Sequence, residues 1–206
     1  MTAGSTAPAR FQARAWLVLS GLLTWGALLA WWLPTPWLDW QPALAASEPW
    51  RLLSAVWVHW SPLHLGTNLL AAAVVAAYGW AGRMPARAAL AYAAAWPLTH
   101  LGLLLRPELA HYGGLSGVLH GGVAVVSLWL LVTARGAWRA IGAAVMLGLV
   151  IKLTSETPWG PALQHSSEWD IAVVPLAHTT GALAGLLCAA LALATRPFPR
   201  PAESGR

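Results

Sequence analysis

The stretch YGGLSGVLHG, Tyr112 to Gly121, sets one serine among four glycines and a histidine one helical turn after it. Glycine weakens a helix, and a polar side chain in apolar surroundings is costly, so both kinds of residue in one short run need a purpose. A serine hydroxyl is a poor nucleophile until a base removes its proton, which histidine does near neutral pH. His178, in the run AHTTGALAG, is such a base. If packing brings it to Ser116, the two form a candidate catalytic pair.

Acyl transfer also needs donors for the oxyanion that develops. Gly113 and Gly114 let the chain enter a helix at Ser116 with backbone N–H groups free, and the helix N-terminus adds positive potential. His64 and Asn68, in HLGTN, are four residues apart on one helix face, and both can donate. Gly117 and Gly121 near the serine, and Gly181 and Gly185 near the histidine, each make the small-x-x-x-small pattern that lets two helices approach closely. Each residue has a plainer use: the serine bonding a carbonyl, a histidine packing, the asparagine tying two helices. Their conjunction at one depth on three spans favours catalysis.

The positioning elements follow from composition. The 206 residues are 58% hydrophobic and 9% charged, with a mean hydropathy of +0.58. A soluble domain carries about 25% charged residues, so this chain is read as an all-α polytopic membrane protein whose partner is the lipid bilayer. Its net charge of +5 comes from scattered arginines rather than one basic face, which argues against nucleic acid. The single Cys188 excludes an intramolecular disulfide, and without C-x-x-C or H-E-x-x-H spacing no metal or cofactor is implied.

Six apolar stretches are long enough to span, near residues 14–33, 58–79, 86–105, 115–134, 138–154 and 172–195. The first, about 19 residues, exceeds the 7 to 15 of a signal peptide and is kept as a span. Nine of the twelve basic residues (Arg10, Arg14, Arg83, Arg87, Arg135, Arg139, Arg196, Arg200 and Arg206) flank the spans on one side, which is therefore expected to be cytoplasmic. The opposite loops hold six of the seven acids. Both termini are expected inside, with tails at 1–13 and 196–206, disordered by their position, around a core at 14–195. All seven histidines then fall toward the outer face, where a shared polar site would account for them.

In order and on those spans, HLGTN, GLSG (Gly114 to Gly117) and AHTTGALAG resemble the signature of the rhomboid intramembrane serine proteases, as does Trp50–Arg51 in the first loop. The resemblance covers residues 14–195 and implies a six-transmembrane-helix rhomboid-like bundle. It also implies Ser116 as nucleophile, His178 as general base and then acid, and His64, Asn68 and the Ser116 backbone N–H as oxyanion hole. Family members lack a third triad acid, and none is evident here: Asp170 lies about two turns before His178. Many rhomboids carry an aromatic residue, usually tyrosine, at the position of His120. That departure, with KLTSE (Lys152 to Glu156) ending the fifth span, is similar to the rhombosortases. This implies a bacterial inner-membrane enzyme, active toward the periplasm, that cleaves GlyGly-CTERM-type C-terminal sorting tails at a glycine-rich region.

His120 shares a helix face with Ser116 and is expected to stack on His178; a hydrogen-bonding role or a simple packing change remain as alternatives. Lys152 and Glu156, four apart, read as a snorkelling ion pair near the surface in preference to a catalytic element. Rival functions are a general rhomboid protease with other transmembrane substrates, a histidine-lined transporter or channel, and a non-cleaving rhomboid pseudoprotease. Absence of repeats and of interrupted helix pairs weighs against a transporter. Retention of both Ser116 and His178 weighs against a pseudoprotease.

Overall fold

A computed structural model describes residues 13–195. The expected tails, with Arg10, Arg196, Arg200 and Arg206, lie outside the described residues except for Ala13. Within them the chain is all-helical: α1 (Arg14–Ala30), a short α2 (Arg51–Ser54), α3 (Pro62–Ala81), α4 (Ala86–Leu101, continued by a 3-10 turn Gly102–Leu105), α5 (Ser116–Thr133), α6 (Gly136–Ser155) and α7 (Pro175–Ala194). Five of these, α3 to α7, are long and apolar enough to cross a membrane. The chain is thus a multi-pass membrane protein. The apolar α1 has 17 residues, about 25 Å at 1.5 Å per residue, which is short of a hydrocarbon core of about 30 Å.

Two spans start later than their hydropathy suggests. Val58 has extended backbone, and α3 begins only after Ser61, whose side chain accepts the His64 N–H at 3.0 Å, with Pro62 at the first helical position. That cap and proline satisfy or remove donors the helix end leaves without partners. Before α7, Val173 pairs with Gln164 in an isolated antiparallel bridge, so the helix starts at Pro175 rather than 172.

α5 forms the centre, burying residues from Gly117 to Leu130 on several faces. α6 buries only Gly142 and Leu149 and leaves Leu147, Val150 and Ile151 exposed, as a lipid-facing helix should. Trp16 of α1 stacks on Tyr92 of α4 with ring centroids 4.9 Å apart, and its indole N–H donates to the Val75 carbonyl of α3. Such satisfied aromatic packing joins the first helix to the bundle.

The closest helix approach is between α5 and α7. A Cβ on Gly181 would collide with the Gly117 carbonyl, one on Gly185 with the Gly121 carbonyl, and one on Gly121 would come to 2.9 Å from the Gly181 carbonyl. Four glycines therefore let the two backbones touch.

The first loop is fastened from within. Buried Arg51 donates to the Asp39 carboxylate at 2.9 Å, the Glu48 carboxylate at 2.6 Å and the Pro36 carbonyl at 2.9 Å. Trp40 and Tyr112 exchange two backbone hydrogen bonds, of 2.7 and 2.8 Å, which tie this loop to the segment leading into Ser116.

Candidate active site

α5 and α7 begin at the same end of the bundle, and α6 finishes there. Ser116 is the first residue of α5, His178 lies in the first turn of α7 and Glu156 caps the C-terminus of α6. Three polar side chains from three helices therefore meet at one depth without any helix being broken to bring them there.

His178 Nε2 lies 3.0 Å from Ser116 Oγ. Its Nδ1 lies 2.7 Å from Glu156 Oε2. An ionised carboxylate only accepts, so Nδ1 carries the ring proton and donates it, which leaves Nε2 bare to accept from the serine hydroxyl. That is the tautomer in which an imidazole can take a proton from Ser116. The expectation that no acid stands behind His178 is corrected here: Glu156 does. Asp170 is engaged elsewhere, accepting from Ser61 Oγ at 2.8 Å.

Glu156 is also ion-paired with Lys152, so the pair read from the sequence exists, but it is half of a larger arrangement. Burial pushes the Glu156 carboxyl up, yet the hydrogen bond from His178, the charge that His178 gains once protonated at low pH, and the Lys152 ammonium outweigh it and hold the group at about 2. Glu156 is therefore charged at any physiological pH.

His120 stacks on His178 with centroids 4.3 Å apart and planes 16° from parallel. Its Nδ1–H donates back to the Ser116 carbonyl at 2.6 Å. Stacking and hydrogen bonding, two of the three uses open to it from the sequence, are thus both present.

His64 and Asn68 are buried on one face of α3. Gly114 has φ +126°, a conformation open to glycine, and a Cβ there would sit 2.7 Å from His64 Nε2 and 3.7 Å from Asn68 Nδ2. The missing side chain leaves a space bordered by both donors. One expectation fails at this glycine: its N–H is not free but donates to the Ala55 carbonyl at 3.0 Å. The amides without an intrahelical acceptor are those of the first turn, beginning at Ser116. Gly113 serves packing, since a Cβ there would meet Val58 at 2.7 Å.

These groups face a cavity of about 240 Å³ bordered by α3, α5, α6, α7 and the loop segment 169–174. Of the seven histidines, His64, His111, His120 and His178 line it. His59 instead donates to the Trp57 carbonyl, and burial pushes it down to about 4 against that bond. His100 donates to the Leu52 carbonyl, His165 is exposed, and His111 also reaches Asp39 at 2.5 Å. Common depth in the sequence therefore overstated how many histidines share one site.

The sequence favours Glu156 as an ion-pair residue over the role at the histidine that the structure shows, and it gives no sign of the Ser61–Asp170 contact that supports the His64 turn. The serine before Pro62 was a readable cap signal. Nothing local distinguishes a glutamate paired within its helix from one that also reaches a neighbouring helix.

A family model for the Rhomboid domain matches residues 46–195, which include every cavity group named above. No match was found among curated proteins. With about three quarters of its length matched and its apolar helices packed around this cavity, the chain belongs to the rhomboid family of intramembrane proteases.

Proposed function

We propose that this protein is an intramembrane serine endopeptidase in which Ser116 is the nucleophile and His178 the general base and then acid. The observation that carries the reading is the 3.0 Å contact from Ser116 Oγ to a His178 Nε2 left unprotonated because Nδ1 donates to a carboxylate. As Oγ bonds to the scissile carbonyl carbon, its proton passes to Nε2. The oxyanion forms near the Ser116 N–H, His64 and Asn68. His178 then protonates the leaving amine as the C–N bond breaks, and water or another nucleophile removes the acyl group by the same exchange.

In this reading α1 is the first of six spans, the arginine-rich loops are cytoplasmic, both termini lie inside, and the cavity opens toward the periplasm of a bacterial inner membrane. The core is residues 14–195, between tails at 1–13 and 196–206. A substrate segment reaches the cavity from the side and must leave its helix to expose a peptide bond. Glycine lowers the cost of that unwinding, which favours a glycine-rich cleavage region. His120 and KLTSE support a rhombosortase-like specificity for C-terminal GlyGly-CTERM tails.

Co-expression of GlyGly-tailed proteins with the wild type and with Ser116→Ala, followed by mass spectrometry of the C-terminus, tests this reading. The expected result is a new C-terminus within the glycine-rich region that requires Ser116. Intact tails alongside a cleaved unrelated transmembrane reporter would leave a general rhomboid protease and remove the sorting specificity.

A further inference from the structure

Glu156 ends a helix that otherwise lies at the bundle's edge, and its two carboxylate oxygens are divided between two partners. Oε2 accepts from His178 Nδ1–H at 2.7 Å, and Oε1 is paired with Lys152 one turn back. Resting on the Ser116–His178 reading above, we propose that Glu156 is a positioning residue for catalysis, completing a Ser116–His178–Glu156 triad that Lys152 holds in register.

The surroundings favour this over a surface ion pair. The Glu156 side chain is 22% exposed and the His178 side chain 8%, so the contact is largely shielded from water. Four other described carboxylates are turned away from the histidine: Asp39 and Glu48 pair with Arg51, Glu108 pairs with Arg106, and Asp170 accepts from Ser61. His178 is held at Nδ1 by Glu156, at Nε2 by Ser116 and on its face by His120. Removing the carboxylate releases the contact that selects the tautomer, and with it the charge that stabilises the imidazolium formed when Ser116 attacks. Lys152, in turn, reduces the freedom of a long acidic side chain at a helix end.

The test is the rate of labelling by a fluorophosphonate, which reports serine activation without a peptide substrate. Wild type, Glu156→Gln, Glu156→Asp and Ser116→Ala are compared in lipid nanodiscs. Glu156→Gln is expected to lower the maximal labelling rate by about ten- to a thousandfold, less than the roughly 10⁴-fold that the same exchange costs in a fully buried triad. The half-saturating probe concentration should stay unchanged, and Glu156→Asp should recover part of the rate. A Glu156→Gln protein that labels at the wild-type rate, or a loss confined to the half-saturating concentration, overturns the proposal. A measurement on the wild type alone covers a Gln variant that does not fold: ¹⁵N NMR should find the neutral His178 proton on Nδ1, and a proton on Nε2 overturns it. If folded wild type and Ser116→Ala are equally unlabelled, the underlying Ser116–His178 reading fails instead.

Discussion

His178 is fixed by three neighbours, whereas the proposed oxyanion donors across the cavity are fixed by one helix and a missing side chain. His64 and Asn68 share a face of α3, and Gly114 keeps the space beside them open. Asn68→Ala should therefore leave serine labelling possible but slow peptide cleavage, by up to about a hundred- to a thousandfold if Asn68 is a principal donor. Steady-state cleavage of a transmembrane reporter measures this, and an unchanged rate would remove Asn68 from the oxyanion hole. Ser116, His178, His64 and Asn68 were legible because residue type, spacing and order along the spans coincide. Glu156 was legible only as a partner of Lys152, since an i,i+4 pair satisfies both charges within one helix. Its second contact depends on where α7 starts, and that is a tertiary fact.

At the level of elements, what brings serine and histidine together is the α5–α7 seam. Gly181 and Gly185 press against the Gly117 and Gly121 carbonyls, so the sequence pattern became a real interface. A valine at Gly181 would overpack it, at a cost of about 1–3 kcal/mol, and would push His178 away from Ser116. Gly181→Val should lower the thermal unfolding midpoint in detergent and abolish labelling, while unchanged stability would deny the contact. The span limits were less legible. Hydropathy cannot separate a helix from the extended residues feeding it, so α3 and α7 begin about three to four residues later than expected. The Gly114 N–H was illegible for a related reason: it is satisfied by Ala55, a partner 59 positions away in the sequence.

Across the whole molecule, one end of the bundle carries the candidate site, and the other carries two short turns holding Arg83 and Arg135, with Arg87 and Arg139 in the first turns of the helices that follow. The first loop is braced by Arg51 and joined through Trp40 to Tyr112, so it steadies the chain just before Ser116. Fold class and helix order were legible because hydropathy is a property of long segments. The loops were not, because their order rests on hydrogen bonds that no local pattern announces, several from Arg51 and one from Gly114 to Ala55. In the proposed reading, all of this order serves to activate one serine. Intact-protein and peptide mass spectrometry after fluorophosphonate treatment tests it most directly. A single adduct on Ser116 is expected in folded wild type, and none in Ser116→Ala or His178→Ala. Folded wild type without an adduct, or an adduct that persists in His178→Ala at the wild-type rate, would contradict it.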